Sequence, residues 1–310
     1  MEKIPLVLIC SPTATGKTEL AIKLAGETGG EIVSADSLQA YRYLDIGTAK
    51  PSREQREKVK HHLIDVVDPD EEFNAALYAA KARVVIDDLI RQKKPVFVVG
   101  GTGLYIKALL KGIIDTPAVD QKIRDHYRQL RESHGKDYLF NMLQKKDSKA
   151  AIRINPNDTV RIIRALEVLE QSGESIIDMQ KRHSFTDSPY ATYKIGLQLD
   201  RDELKHRIAG RTEKMVAAGL VDEVKNLLNL GYSEKLKPLQ SLGYKQVIEF
   251  LKGKYEWEHA LHLITRDTWH YAKRQITWFA ADKEIKWYHP SRLEGIQSDL
   301  ETFWKQNRPC

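Results

Sequence analysis

Residues 11–18, Ser-Pro-Thr-Ala-Thr-Gly-Lys-Thr, constrain the fold more than any other part of this sequence. They follow an apolar run at Leu6–Cys10 and precede a stretch suited to a helix. A strand, a loop ending in Gly-Lys-Thr and a helix, in that order, make a phosphate-binding loop, or P-loop. Lys17 would neutralise a terminal phosphate and Thr18 would offer its hydroxyl to Mg²⁺. The alternative is a surface loop with a solvated lysine.

We predict that the entire loop binds a diphosphate or nucleotide. The predicted binding residues are Ser11, Pro12, Thr13, Ala14, Thr15, Gly16, Lys17 and Thr18. The usual pattern begins with glycine, whereas this chain has Ser11 there. We therefore expect Ser11 to enter the turn without a strongly left-handed backbone.

Strand and helix signals alternate over the first third of the chain. The predicted strands are Leu6–Cys10, Glu31–Ala35, His62–Val67 and Val96–Val99, and the predicted helices are Lys17–Thr28, Asn74–Arg91 and Gly103–Lys111. This order predicts an α/β fold, a parallel sheet flanked by helices. Ligands of such sheets bind at the carboxyl ends of the strands. Segments Ser11–Thr18, Asp36–Tyr41 and Gly100–Tyr105 should therefore share one crevice.

The remaining chain divides into an insertion and a helical end. Residues 116–190 lack strand signals and are predicted to be an inserted helical subdomain, so that 1–115 and 191–310 form the P-loop core. A strand at Tyr193–Leu199 returns to the sheet. The C-terminal helices are predicted at Asp202–Ala218, Val221–Leu230, Leu242–Lys252, Glu256–Ala281 and Ser291–Lys305, with a short strand at Ile285–Tyr288.

Composition excludes some classes of protein and leaves others open. The formal net charge of +6 suits a polyanionic partner, although it could simply favour solubility. Two cysteines, Cys10 and Cys310, are too few for a disulfide framework or a cysteine-type zinc site. No apolar run approaches the roughly 20 residues of a membrane span, and no signal peptide is recognisable. We expect a cytoplasmic protein that does not contact a membrane.

Polar residues follow two of the predicted strands. Asp36 comes directly after the second strand, where its carboxylate could act as a general base or assist magnesium, or could cap the following turn. Gln39 has a donor and an acceptor suited to a base edge, a weak signal alone. Val99 is followed by Gly100-Gly101-Thr102-Gly103 rather than by the carboxylate expected for phosphoryl transfer, which argues against ordinary ATP chemistry. The glycines would allow a substrate to approach the backbone closely, with Thr102 offering a hydroxyl.

Basic residues recur at helical spacing in three places. Arg207 and Arg211 lie four apart and could clamp a phosphate, and Arg161 and Arg164 lie three apart on a helix predicted to start near Pro156 after Asn155. A long C-terminal helix combines two tryptophans, Trp269 and Trp278, with the basic or polar residues Arg266, His270, Lys273, Arg274 and Thr277. Such a face could bind a nucleic-acid backbone and stack a base, or each of these residues could simply be solvated. The pair His61-His62 lacks companions for a metal and is predicted to be structural.

Together these segments resemble those of a known family. The matching segments, in the family's order, are SPTATGKT at 11–18, VSADSLQAY at 33–41, DIGTAKP at 45–51, HHLID at 61–65, VVGGTGLY at 98–105, NPNDTVRIIRALEV at 155–168, LGYKQ at 242–246 and AKRQITWF at 272–279. The chain resembles bacterial tRNA dimethylallyltransferases, also called tRNA isopentenyltransferases, over nearly its whole length. The resemblance implies transfer of a dimethylallyl group from dimethylallyl diphosphate to N6 of adenosine 37, in tRNAs that read codons beginning with U.

The resemblance also implies roles for individual residues. Asp36 would take the proton of the N6 amine or accept a hydrogen bond from that amine. Lys17, Thr18 and Arg211 would hold the diphosphate with Mg²⁺, and Thr102 would contact the target nucleotide. The inserted subdomain would bind the anticodon stem-loop. The residues implied to touch tRNA are Asp36, Ser37, Leu38, Gln39, Thr102, Val160, Arg161, Ile162, Ile163, Arg164, Lys273, Arg274, Gln275, Thr277 and Trp278.

Two other classes of function stay open at this point. The first is a nucleotide-directed enzyme on the same scaffold, either a small-molecule kinase or an adenylate isopentenyltransferase of the cytokinin type. The helical insertion and basic pairs would be superfluous for so small an acceptor. The second is a non-enzymatic RNA-binding module with a vestigial loop, against which intact Lys17, Thr18 and Asp36 speak. We expect a monomer.

Overall fold

The computed structural model of this chain describes residues 3–183 and 188–307. Within them one sheet is built from β1 (Ile4–Cys10), β2 (Glu31–Ser34), β3 (His61–His62), β4 (Val96–Gly100), β5 (Tyr190–Leu197) and β6 (Ile285–Tyr288). All neighbouring strands pair in parallel, in the order β3-β2-β4-β1-β5-β6. The predicted α/β fold with a parallel P-loop sheet is confirmed.

The central strand β1 shows why the sheet is covered on both faces. Side chains alternate between the two faces of a strand. Leu6 and Leu8 therefore enter one apolar layer while Val7 and Ile9 enter the other, and all four are fully buried. A parallel sheet buried on both faces is typical of chains whose helices cross over between successive strands.

Nine helices accompany the sheet within residues 3–111 and 188–307. They are α1 (Lys17–Thr28), α2 (Arg53–Lys58), α3 (Ala75–Arg91), α4 (Gly103–Lys111), α10 (Arg201–Ala217), α11 (Leu220–Asn229), α12 (Tyr244–Leu251), α13 (Trp257–Ala280) and α14 (Leu293–Asn307). Residues of α3, α4, α11 and α12 fill the layer that contains Leu6, and α1 and α14 fill the other. The helices thus lie on both faces, as predicted.

The chain separates into two compact units. The first unit runs up to Lys111 and resumes at Ser188, and the second begins at Gly112. The second unit contains α5 (Gln121–His134), α6 (Tyr138–Lys146), α7 (Ser148–Arg153), α8 (Thr159–Ser172) and α9 (Ile176–His183) around its own apolar core. Its bounds lie within four residues of 116–190, the predicted insertion.

Two predicted elements differ from the observed ones in where they begin or end. The predicted strand His62–Val67 ends at His62, because Leu63 and Asp65 adopt left-handed backbones, with φ of 62° and 57°, that no strand accommodates. The helix predicted near Pro156 begins at Thr159 instead. Its N-cap is Asp158, whose carboxylate accepts a hydrogen bond from the N–H of Arg161, so the prediction of Asn155 as the cap was wrong.

Several residues with reactive side chains have structural roles. His62 contacts the carboxylate of Glu31 at 2.6 Å, and Nδ1 of His61 lies 2.7 Å from the carbonyl of Val59. Burial raises the pKa of the Cys10 thiol to about 12, which keeps it protonated and unreactive. Cys310 lies outside the described residues. In residues 3–183 and 188–307, no helix is long and apolar enough to span a membrane.

Candidate active site

The loop after β1 has the geometry of a P-loop. Gly16 adopts φ of 91° immediately before α1, and Ala14 is also left-handed, with φ of 64°. Ser11 is not left-handed and is fully buried, with its hydroxyl 2.9 Å from that of Thr15. Ser11 therefore cross-links the base of the loop and needs no glycine there. Because α1 begins at Lys17, the N–H groups of its first turn have no acceptor within the helix and are available to an anion.

Thr13 is held from two sides by helices that come much later in the sequence. Its backbone N–H donates to Oε1 of Gln275 on α13 at 2.9 Å. Its hydroxyl accepts a hydrogen bond from Nη1 of Arg211 on α10 at 2.7 Å. These two contacts fix the tip of the P-loop and place the Arg211 guanidinium beside it.

The P-loop site concentrates positive charge. Lys17 Nζ donates to the carbonyl of Pro12 at 3.2 Å. Burial, and then the positive charge of Arg211, lower the pKa of Lys17 to about 8, and burial likewise lowers the pKa of Arg211. Asp36 and Glu19 are the carboxylates that partly offset these two cations. An anion with two or more charges would stabilise both cations, which is the chemistry of a diphosphate.

A cavity of about 1270 Å³ opens over the P-loop. The predicted site residues that line it are Thr13, Ala14, Gly16, Lys17, Thr18, Asp36, Ser37, Leu38, Gln39, Arg211, Arg274 and Gln275. The segments that follow β1 and β2 both contribute to the lining, as predicted for one crevice. Of the third predicted segment, Gly100–Tyr105, only Gly100, the last residue of β4, lines the cavity. Such a volume exceeds the range of about 300–1,000 Å³ typical for one small ligand, so the cavity has room for two reactants.

The carboxylate of Asp36 both caps a turn and faces the cavity. Oδ1 accepts hydrogen bonds from the N–H groups of Leu38 at 2.9 Å and Gln39 at 3.4 Å. Among the described residues, Oδ2 has no hydrogen-bond partner, and Asp36 lines the same cavity as Lys17. The sequence left open whether Asp36 caps the following turn or takes part in the chemistry. These two roles are compatible, because each uses a different oxygen of the carboxylate.

Thr102 lies behind Asp36 rather than in the cavity lining. Its hydroxyl oxygen accepts from the N–H of Ser37 at 3.1 Å and also forms a hydrogen bond with Tyr271 of α13. Tyr271 lines the cavity, and sequence analysis missed it because it falls in the mainly apolar stripe of its helix. Burial and the negative charge of Asp36 raise the pKa of Tyr271, so its hydroxyl stays a donor at neutral pH.

Gly100, Gly101 and Gly103 leave room for other atoms of the protein, whereas the sequence predicted that they leave room for a substrate. A Cβ on Gly100 would lie 2.2 Å from the Ala35 carbonyl oxygen, and one on Gly101 would lie 2.2 Å from Nε2 of Gln275. A Cβ on Gly103 would lie 2.0 Å from Nε1 of Trp278. The close approach predicted for a substrate is thus made by the backbone of Ala35, just after β2, and by side chains of α13.

The predicted clamp of two arginines is asymmetric. Arg211 reaches the P-loop, whereas Arg207, one turn earlier on α10, forms an ion pair with Glu203 at 2.8 Å. Both arginines line the cavity. The geometry thus supports Arg211 as the anion contact at the P-loop and leaves Arg207 neutralised by its own helix.

Gln39 is engaged within the protein, and its contact with a base edge stays a prediction. Its Nε2 donates to the carbonyls of Thr48 and Ala49, and its Oε1 accepts from Ser34, each at 3.3 Å. The amide therefore holds the segment after Gly47 against the end of β2.

The segment at 45–47 is fixed by a carboxylate that sequence analysis did not identify. Glu223 of α11 accepts hydrogen bonds from the N–H groups of Asp45, Ile46 and Gly47, at 2.7–3.1 Å. The hydroxyl of Tyr244 also donates to it at 2.6 Å. Since Glu223 lies more than 170 residues away in sequence, no local pattern could reveal this contact.

In the second unit, several side chains predicted to contact RNA are buried. Val160 and Arg161 are exposed, but Ile162 and Ile163 are 1% and 7% exposed and fill the core of that unit. Arg164 pairs with Glu167 at 2.6 Å and also donates to Thr116 and Pro117. The side chains of Ile162, Ile163 and Arg164 are therefore structural, and Val160 and Arg161 remain candidates for contact.

On α13 the predicted contacts also divide by burial. Lys273, Arg274, Thr277 and Trp278 are exposed. Gln275 is 6% exposed, and both ends of its amide are bonded, the second to the carbonyl of Gly101 at 2.9 Å. Its predicted contact with RNA is therefore corrected to a positioning role between the P-loop and the glycine loop.

The donor set suits a magnesium ion that a diphosphate brings with it. The structure describes no cluster of three or more His, Cys, Asp or Glu side chains suited to a metal in residues 3–183 and 188–307. Thr18, which offers a hydroxyl, and Asp36 line the same cavity. Mg²⁺ commonly takes one or two protein oxygens and completes its shell with phosphate oxygens and water. These residues fit that pattern.

Comparisons with known proteins agree on one family. The family model described as IPP transferase matches residues 39–282. A tRNA dimethylallyltransferase 2 of Syntrophus aciditrophicus is 51% identical, covering 96% of this chain and 95% of the relative. A tRNA dimethylallyltransferase of Thermotoga maritima is 46% identical over 92% of each chain.

Solved structures give the same result. The tRNA isopentenylpyrophosphate transferase of Bacillus halodurans is 36% identical, with a TM-score of 0.72 and 98% coverage of both chains. A eukaryotic dimethylallyltransferase described as acting on tRNA is 26% identical, with a TM-score of 0.79, 99% coverage of this chain and 80% of its own. The resemblance predicted from the motifs is confirmed, and the chain belongs to the IPP transferase family, as do its tRNA dimethylallyltransferase relatives.

Proposed function

We propose that this protein transfers a dimethylallyl group from dimethylallyl diphosphate to N6 of adenosine 37 in tRNAs that read codons beginning with U. The relatives named tRNA dimethylallyltransferase support tRNA prenylation as the reaction. The observation that supports the chemistry best is one cavity lined by Lys17 and Arg211 on one side and by Asp36 on another. The products are N6-dimethylallyladenosine and diphosphate.

The donor binds through its diphosphate at the P-loop. The N–H groups at the start of α1, Lys17 and Arg211 stabilise the negative charge that grows on the leaving group as the C1–O bond breaks. Mg²⁺, when bound, would be held by Thr18 together with diphosphate oxygens and would neutralise the same charge, which leaves Oδ2 of Asp36 available to accept a proton. The residues themselves bind and orient the donor.

The acceptor amine enters near Asp36. N6 forms a bond to C1 of the allylic group, diphosphate leaves with the electrons of the C1–O bond, and an N6 proton passes to Oδ2 of Asp36. Because Oδ1 is occupied by two backbone N–H groups, the carboxylate is held in a fixed orientation for this transfer. An adenine must leave its stack to reach such a cavity.

The segment after β4 favours alkyl transfer over phosphoryl transfer. Gly101, Thr102 and Gly103 follow the strand at the place where phosphoryl-transferring P-loop enzymes hold a magnesium-binding carboxylate. A reaction that breaks the bond between carbon and oxygen does not transfer a phosphoryl group. We propose that the protein acts as a monomer in the cytoplasm, with the tRNA anticodon stem-loop as its partner.

A transfer assay distinguishes the proposed function from its rivals. Purified protein, Mg²⁺, dimethylallyl diphosphate and unmodified tRNA should yield N6-dimethylallyladenosine, detected by mass spectrometry of digested tRNA, and an equal amount of diphosphate. Transfer to free AMP but not to tRNA would indicate a cytokinin-type enzyme. ATP turnover without prenyl transfer would indicate a kinase, and tRNA binding without product would indicate a passive RNA-binding module.

A further inference from the structure

The side chain of Trp269 lies at the junction of α13, α10 and the P-loop. It packs against the small apolar core formed by Leu199, Leu204, Ile208 and Ala272, together with Ala14 at the tip of the P-loop. The ring is only half-buried. Its position makes it a poor platform for stacking a free base, which was one interpretation of this helix, but it borders the candidate active site directly.

Three cations surround this one ring. The guanidinium of Arg201 and the ammonium groups of Lys205 and Lys273 each lie 5.7 Å from its centroid. This separation is within the range of cation–π attraction, which orders a cationic side chain without neutralising its charge. We call these four residues, Arg201, Lys205, Trp269 and Lys273, the Trp269 cluster.

The charge of the Trp269 cluster is largely unopposed. Lys205 contacts the carboxylate of Asp202 at 3.0 Å. Within residues 3–183 and 188–307, neither Arg201 nor Lys273 has a carboxylate within salt-bridge distance, and both are exposed. Like charges gathered at one place repel each other, and a polyanion that bridges them relieves the repulsion.

We propose that the Trp269 cluster binds the phosphodiester backbone of the RNA substrate. This inference depends on the proposed function, since it assigns a surface to the same substrate. The three cations come from two helices and surround an apolar ring, without an array of backbone N–H groups, so they suit several successive phosphates better than one enclosed anion. Lys273 is followed on α13 by exposed Arg274, Thr277 and Trp278, which are also predicted to contact RNA.

Binding measurements with RNA alone test the cluster. The double variant Arg201→Gln/Lys205→Gln removes two of the cations, and Lys81→Gln/Lys93→Gln removes two exposed lysines on or just after α3, outside the cavity lining. We expect the first variant to bind unmodified tRNA about tenfold more weakly at 0.1 M KCl. The slope of log K against log salt should fall by about 1.4–1.8, since each of the two phosphate contacts contributes about 0.7–0.9. The control pair should change neither quantity.

A second variant tests the proposal independently if the double variant does not fold. Trp269→Leu keeps all three cations but removes the ring that orders them. We expect it to weaken tRNA binding about threefold with the salt slope unchanged, because the number of charges is the same.

Two outcomes would overturn the proposal. The first is a tRNA affinity and salt slope in Arg201→Gln/Lys205→Gln equal to those of the control pair. The second is a loss of affinity for dimethylallyl diphosphate, measured by calorimetry without RNA, while tRNA binding is intact, which would make the cluster a donor-steering surface. Absence of prenyl transfer by the wild-type protein would instead refute the proposed function, independently of these binding data.

Discussion

At the scale of single residues, Asp36 divides two tasks between its two oxygens. Oδ1 holds the turn at Leu38 and Gln39, and Oδ2 faces the cavity. A carboxamide in the same place would keep an oxygen for the turn but could not accept a proton at neutral pH. Substitution can therefore separate the structural task from the chemical one.

We expect Asp36→Asn to lower single-turnover prenyl transfer by about 10²–10⁴-fold, the usual contribution of a general base. Its affinity for tRNA should stay within about threefold of the wild type, because the turn is kept. Asp36→Ala should lose the turn as well and unfold at a lower temperature. Full turnover by Asp36→Asn would remove Asp36 as the proton acceptor.

Lys17 is a buried cation beside a second buried cation, Arg211, and burial together with that charge holds its pKa near 8. An anion that binds there gains a charge-assisted hydrogen bond worth about 1.5–3 kcal/mol. Lys17→Ala should therefore weaken the binding of an unreactive dimethylallyl diphosphate analogue about 10- to 100-fold, measured by calorimetry. Lys81→Ala, at an exposed position on α3, serves as the control. Equal affinities of both variants would exclude Lys17 from donor binding.

At the scale of elements, α13 links two loops of the site. Gln275 bonds the P-loop at Thr13 and the glycine loop at Gly101, and Tyr271, one turn earlier, bonds Thr102. One face of this helix thus fixes the site, while its exposed face holds the predicted RNA contacts. A shift of α13 would therefore displace the P-loop.

Gln275→Met preserves the size of the side chain and removes both hydrogen bonds. It leaves a buried N–H on Thr13 and a buried carbonyl on Gly101 without partners, at a cost of about 1–3 kcal/mol. We expect a lower free energy of unfolding by that amount in urea, together with about tenfold weaker donor binding. A variant that is destabilised but binds donor normally would show that Gln275 supports the fold alone.

Elements whose structure depends on neighbouring residues could be predicted from the sequence. The P-loop, β1 and α1 follow from an apolar run, Gly16 and Lys17, and the crevice follows from the parallel order of the strands. The early end of β3 could not be predicted, because the left-handed backbones of Leu63 and Asp65 depend on tertiary contacts. The positioning roles of Gln275 and Glu223 join residues more than 170 positions apart, which no pattern of spacing reveals.

At the scale of the whole molecule, each unit has its own core and its own buried polar network. In the second unit Glu167 is fully buried and accepts hydrogen bonds from Arg124, Arg164 and the N–H of Asp120. Burial opposes its ionisation, but the hydrogen bonds from the two arginines outweigh this effect and lower the pKa of Glu167. The ionised Glu167 therefore contributes fully to the free energy of unfolding at neutral pH. This contribution is lost as the pH falls below about 4.3, the ordinary pKa of a glutamate.

Glu167→Gln should destabilise the second unit by about 3 kcal/mol at pH 7, since it leaves two arginines without their charge partner. Hydrogen exchange should accelerate in α5 and α8 and stay unchanged in β1, because the units have separate cores. Between pH 5 and pH 3 the free energy of unfolding of Glu167→Gln should fall less steeply than that of the wild type. Uniform acceleration across both units would contradict the separation.

The central claim is that one cavity holds the diphosphate of an isoprenoid donor and the exocyclic amine of a nucleobase together. A crystal structure of the protein with a tRNA anticodon stem-loop and an unreactive dimethylallyl thiodiphosphate tests it most directly. We predict the diphosphate against Lys17, Thr18 and Arg211, with adenine N6 within 3.2 Å or so of Oδ2 of Asp36, the reach of a general base. A diphosphate bound elsewhere, or an adenine that stays stacked outside the cavity, would contradict the account.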